Sequence, residues 1–142
     1  QALGQRGPAR AKYQRALELD HKATYALNNL CYGWVLDGNA SKAITSCRRA
    51  LELQPDLAAA HNNLALAHAV AGDMTAARAE FEAAGNRAQA LYNVGIVDLA
   101  QGRYTSAAKS FSAAQSEQPD MVMAAERARQ AMARVTGTAS EE

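Results

Sequence analysis

The sequence predicts an all-α fold: a right-handed α-solenoid of helical hairpins ending in a C-terminal capping helix. Three observations predict it. Small residues recur at a fixed spacing, with Ala9, Ala43 and Ala77, and again Ala16, Ala50 and Ala84, standing 34 residues apart. Tyr13, Cys47 and Phe81 form a further column, and Leu30 and Leu64 another. Self-similarity at such a period is the mark of stacked helical hairpins, because one hairpin cannot bury its own apolar face and needs its neighbours. Apolar residues also fall in helical stripes, and glycine and proline punctuate them at matching places.

Taken in order, Pro8 to Asp20 reads as a second-hairpin helix with no first helix before it, its apolar face formed by Ala9, Tyr13 and Ala16. Residues 1–7 are expected to be a disordered stub. Leu27, Leu30, Cys31 and Trp34 then lie at i, i+3, i+4 and i+7, one stripe of a helix. Ala43, Cys47 and Ala50 make the facing stripe, and alanine there lets two helices approach closely. The same pairing returns with His61, Leu64, Ala65 and His68 against Ala77, Phe81 and Ala84. It returns again with Leu91, Val94, Gly95 and Asp98 against Ala107, Phe111 and Ala114. Gly38, Gly72 and Gly102 occupy the same place between the paired helices, where a left-handed residue ends a helix. Pro55-Asp56 and Pro119-Asp120 mark unit boundaries, since proline suits a helix start and an acid suits the helix dipole.

These boundaries give one domain over 8–135. It comprises the unpaired helix (8–20), units at 24–57, 58–87 and 88–119, and a capping helix at 120–135, followed by a disordered tail at 136–142. The middle unit is about one helical turn short. Its second helix is expected to stop early, with Gly85-Asn86 as the turn. Met121, Ala125, Ala128, Met132 and Val135 form the apolar stripe of the capping helix.

Pattern and register resemble the tetratricopeptide repeat family, over roughly residues 8 to 135. Units such as HNNLALAHAVAGD and YNVGIVDLAQGRY are similar in style to bacterial members, among them the TadD pilus-assembly lipoproteins. That narrower resemblance implies a periplasmic, membrane-anchored role in pilus assembly, although the lipidated cysteine such a role requires is not in this chain. The chain reads as a fragment of a longer protein, from the bacterial cytoplasm or periplasm.

The resemblance also implies a concave groove lined by first-helix residues. Asn29, Asn63 and Asn93 share one frame position in all three units. A carboxamide offers both a donor and an acceptor to a peptide backbone; the alternative reading is that these side chains bond a neighbouring helix. Around them fall Tyr25, Asn28 and Tyr32, then Asn62 and Leu66, then Gln89, Tyr92 and Ile96. The groove so mapped holds tyrosines, amides and aliphatics. No lysine or arginine falls among its positions, which disfavours a carboxylate-reading role and favours an extended or helical peptide.

Other chemistry is thinly represented. The formal net charge is +1 and charged residues are 20% of the chain, so no strong field favours nucleic acid or a membrane surface. No apolar run suits a membrane span. No phosphate loop, nucleophile elbow or metal-spaced cysteine set is present, so neither catalysis nor a cofactor is expected. His61 and His68 are about 10.5 Å apart along a helix, too far for one ion to hold both easily, and core packing is the expected role. Trp34 is expected in the core. Cys31 and Cys47 face each other across one hairpin and are expected to be buried free thiols, a small hydrophobic pair, unless the protein is exported. Asp98 replaces an aromatic, either as a polar contact to a neighbouring hairpin or as a solvated substitution.

The reading is therefore a non-catalytic scaffold that binds a protein or peptide. Self-association through the exposed N-terminal helix, or service as an accessory domain of a larger protein, are the alternatives.

Overall fold

The computed structural model describes the backbone of residues 3–137 and the side chains of residues 7–137. Eight helices and no strand are found among these residues. Thr136, expected in the tail, is the last residue of a helix that ends on Gly137, and the rest of the expected tail, beyond Gly137, lies outside the described residues. The chain divides at Ala84–Gly85 into two compact units.

The first unit holds α1 (Leu3–Leu19), α2 (Thr24–Leu36), α3 (Ala40–Leu53), α4 (Ala58–Val70) and α5 (Met74–Ala83). Helix α1 begins at Leu3 with Pro8 inside it, so residues 3–7, expected as a stub, are helical. Pro8 is the sixth residue of this helix, past the first four N–H groups, so it removes one i→i−4 hydrogen bond close to the helix start. Helices α2–α3 and α4–α5 are antiparallel hairpins. Their apolar stripes meet in one cluster of Cys31, Ala43, Cys47, Leu64 and Ala67, and in a second of Leu27, Ala50 and Ala60 that Leu17 of α1 joins.

The second unit holds α6 (Arg87–Ala100), α7 (Tyr104–Glu117) and α8 (Val122–Thr136). Phe111 is its centre, packed with Ala107, Ala108 and Ala131. Helix α8 lies over α7 as the cap and ends on Gly137 at φ 73°.

One turn design serves all three hairpins. After α2, the Gly38 N–H bonds the Val35 carbonyl at 3.0 Å and the Asn39 N–H bonds the Trp34 carbonyl at 2.9 Å. Gly72 with Asp73, and Gly102 with Arg103, repeat this pair of bonds. Gly38, Gly72 and Gly102 have φ of 74°, 86° and 76°, a conformation that only glycine adopts without cost. The next residue then opens the second helix. Asn39 accepts from the Lys42 N–H and Asp73 from the Ala76 N–H, both at 3.1 Å. The same two residues thus close one helix and cap the other. Helix α5 has 10 residues where α3 and α7 have 14. Gly85 follows it at φ 156°, and Asn86 caps α6 by accepting from the Gln89 N–H at 2.8 Å.

Contacts between paired helices show how the frame tolerates substitution. In the α6–α7 hairpin, Gly95 lies so close to Phe111 that a Cβ would stand 2.6 Å from the ring. The corresponding pair in α4–α5 is Ala65 and Phe81. In α2–α3 it is Cys31 and Cys47, and these are joined as a disulfide with Cα atoms 5.3 Å apart. The expectation of free thiols is therefore corrected. The frame already brings these two positions into direct contact, within the Cα spacing a disulfide needs.

Candidate functional site

In the first unit α2 and α4 lie side by side and bring Asn28 and Asn63 together. The Asn63 Nδ2 donates to the Asn28 Oδ1 at 2.9 Å. One asparagine of the ladder thus serves the neighbouring helix, which was the alternative reading of these residues. Asn29, one place further along α2, is exposed and has no hydrogen-bond partner among the described residues. Tyr25 and Tyr32 are exposed on the same helix, at 62% and 46%. Asn62 and Leu66 are half-buried on α4.

A cavity of about 130 Å³ opens between α1 and α2. Tyr13, Leu30, Tyr32 and Leu36 supply its apolar lining, and Asn29 and Arg10 its polar groups. Arg10 is already engaged: its guanidinium pairs with Asp37 and stacks 3.8 Å from the centroid of Trp34. Lys42 approaches the same ring at 4.6 Å. Trp34 is accordingly half-buried at the hairpin end, not sealed in the core as expected. Flanking cations hold its open face by attraction to the ring quadrupole.

In the second unit the mapped groove residues divide. Gln89 is exposed and donates through Nε2 to the Asn93 Oδ1 at 3.1 Å. Tyr92 turns its ring edge onto Phe111, centroids 5.4 Å apart, and Ile96 packs on the same cluster. Both are half-buried and contribute to hairpin packing. Glutamine four residues before asparagine on one helix face is a spacing that could have foretold the Gln89–Asn93 bond.

Two polar features were not foreseen. Asp98 is fully buried, and its Oδ1 meets Arg103 at 2.7 Å through NH2 and 2.9 Å through Nε. It thus contacts the turn of its own hairpin instead of solvent or a neighbouring one. The backbone bond from the Arg103 N–H to the Asp98 carbonyl brings the two residues together, and the spacing of five across a glycine turn was the available signal. His61 does not pack as a bland core residue. Its Nδ1 lies 2.6 Å from the Glu80 Oε2 and its Nε2 2.8 Å from the Pro55 carbonyl. Burial pulls its pKa down, but the Glu80 hydrogen bond, the Pro55 carbonyl and the Glu80 charge outweigh this and hold it above the ordinary 6.5. Among the described residues no cluster of three or more metal-binding side chains occurs, and no helix is long and apolar enough to cross a membrane.

A tetratricopeptide repeat profile matches residues 37–90 and 84–122, more than half of the chain. The chain belongs to the tetratricopeptide repeat family. Two crystal structures of MamA are similar in fold, each at 23% identity over 97% of this chain. Their TM-scores are 0.67 and 0.65, and 82% and 77% of those chains are covered. The first tetratricopeptide domain of human RPAP3, solved by NMR, matches at 16% identity with a TM-score of 0.58, over 84% of this chain and 97% of that domain. A comparison with curated proteins returns no match. Tetratricopeptide domains are in general protein–protein interaction modules.

Proposed function

We propose that this tetratricopeptide domain captures a peptide segment of a partner protein along its first helices, as a non-catalytic scaffold for a larger assembly. The observation that carries the reading is Asn29. It is an exposed carboxamide with no partner among the described residues, flanked by Tyr25 and Tyr32 and opening on an apolar cavity. A carboxamide so placed can take one backbone N–H and give one N–H in return, while tyrosines and aliphatics select side chains. Asn63 extends the ladder on α4, and Asn93 holds the same frame position in the second unit. Asn63 keeps free lone-pair capacity while it donates to Asn28.

The setting is an oxidising compartment, supported by the Cys31–Cys47 disulfide, since such bonds persist mainly outside the reducing cytosol. A periplasmic pilus-assembly role of the TadD kind is compatible with this, and it rests on sequence style alone.

The test compares immobilised wild type with the Asn29→Ala/Asn93→Ala variant. Asn63 is left intact because its loss would also break the α2–α4 contact. Partners recovered from the native organism by wild type and lost from the variant, with unchanged circular dichroism, support the groove. A genuine partner held equally by both overturns it.

A further inference from the structure

Helix α8 carries the repeat frame one step past the mapped groove. The position held by Asn29, Asn63 and Asn93 falls on Arg127, 34 residues after Asn93. The groove read from the first three units holds no cation, and this fourth position does. Arg127 is half-buried. Its Nε is closed off from solvent without a hydrogen-bond partner, and the residue makes no ion pair among the described residues. The charged neighbours on its helix are engaged elsewhere. Glu126 pairs with Arg129 and accepts from the Gln130 Nε2 at 3.4 Å. Arg134 donates to the Tyr104 hydroxyl at 2.9 Å. A buried donor on a charged group costs more to leave unpaired than a neutral one, so this side chain gains from an acceptor that a ligand brings. The register states what stands beside it. Asn63 reaches Asn28 of the preceding first helix, 35 residues back, and the same step from Arg127 leads to Tyr92 of α6. Tyr92 is half-buried with its ring edge on Phe111, and its hydroxyl has no hydrogen bond among the described residues.

From this we infer that the α6–α8 face of the second unit binds a carboxylate of a peptide, held by the Arg127 guanidinium and the Tyr92 hydroxyl. A guanidinium presents a planar fork whose parallel N–H donors match the two oxygens of a carboxylate, and a phenol adds one further donor. Charge selects a monoanion over a phosphate. Within one turn of α8, Glu126 and Arg129 cancel and Arg127 supplies the net positive charge. A dianion would leave a negative charge uncompensated at a partly buried site, which is costly. A chain terminus and an acidic side chain present the same group to the fork, and the experiment separates these two sources. The site lies wholly in the second unit, so it stands or falls apart from the Asn29 cavity.

The test follows the Arg127 Nε–H resonance of the intact, isotope-labelled chain by NMR at constant ionic strength, assigned through its loss in Arg127→Gln. The probes are N-acetylated alanine peptides: one with a free C-terminus, one amidated, and one amidated with a central glutamate. A peptide bearing a carboxylate is expected to shift the resonance saturably, with Kd roughly 1 mM for so small a contact. The amidated peptide without glutamate should leave it in place. A response to the free C-terminus alone assigns the site to a chain end, and a response to glutamate alone assigns it to an acidic side chain. Responses to both mean that either source is read. Tyr92→Phe keeps the ring on Phe111 and should weaken binding by roughly threefold or more. Arg127→Gln, followed on the backbone amides of α6 and α8, should abolish binding. Lys109→Gln removes an exposed charge from the same unit and should change nothing, which separates the fork from general attraction. Asn29→Ala should bind the probes as wild type does, which separates this inference from the groove reading. No saturation by about 10 mM peptide, an equal shift from the amidated peptide, or binding unmoved by Arg127→Gln overturns the inference. So does inorganic phosphate binding more tightly than either carboxylate, since that assigns the site to a dianion.

Discussion

At Gly95 the packing leaves no room for a side chain. A methyl there would sit 2.6 to 2.9 Å from three Phe111 ring atoms, and that ring is itself fully buried, so it cannot swing away freely. Gly95→Ala gains helix propensity of up to about 1 kcal/mol, yet overpacking of this kind costs about 1–3 kcal/mol. The net expectation is destabilisation, read as a lower denaturation midpoint. Phe111→Leu in the same background should recover part of the loss, because the two residues are in contact and their effects do not add. A second residue-scale prediction concerns Arg103. Arg103→Ala strips the partner from the buried Asp98 carboxylate, whose Oδ2 already lacks a hydrogen bond. Removing one member of such a pair typically costs about 3–5 kcal/mol, and the low end applies here because Arg103 is 42% exposed. Asp98→Leu added to Arg103→Ala should restore stability, since an apolar pair leaves no buried charge. Urea unfolding of the single and double variants decides it.

Among the helices, the α4–α5 hairpin is held by a titratable link. Protonated His61 donates from Nδ1 to Glu80 and from Nε2 to Pro55. Neutral imidazole has only one N–H and leaves an acceptor facing an acceptor. The folded-state pKa is therefore raised, and the sign follows. The contribution is fully present below about pH 6.5, the unfolded value, and is lost as pH climbs through the higher folded value. Unfolding free energies measured from pH 5.5 to 8.5 should fall across that window. In Glu80→Gln the slope should shrink, and an unchanged slope would show that the link does not govern it.

This hairpin also shows how far sequence reading reaches. The helices, the three glycine turns and the short α5 were legible because period, punctuation and small-residue columns are backbone requirements that local composition expresses. His61, Trp34 and Asp98 were legible as frame positions but not as roles. What each does depends on a partner from elsewhere in the chain: Glu80 on α5, Arg10 on α1, Arg103 across a turn. The Asn63–Asn28 bond was one of two readings that the ladder allowed, and only side-by-side helices choose between them. The cysteines were the clearest miss. Their column predicted contact, but contact alone does not separate two thiols from one bond.

For the molecule as a whole, that bond sets an asymmetry along the array. It closes a segment with a sequence separation of 16 residues, for which loop-closure entropy gives about 3 kcal/mol of stabilisation. Stability in a repeat array is close to a sum of unit and nearest-neighbour terms, so a local loss is felt most in its own unit and fades along the chain. Reduction should therefore act first on α2 and α3, less on α4 and α5, and least on α7 and α8. Both cysteines are fully buried, so a reductant must wait for the hairpin to open; native protein should resist it, and denatured protein should not. The measurement is amide hydrogen exchange on the oxidised chain and on chain refolded in reductant. Alkylation in denaturant before reduction provides the control, since only an oxidised chain will take up no label. Faster exchange in α2–α3 with α7–α8 unchanged supports a staple local to the first hairpin. A uniform rise across all helices would mean that the array unfolds as one cooperative body. Two labelled cysteines before any reduction would place the chain in a reducing compartment and remove the staple altogether.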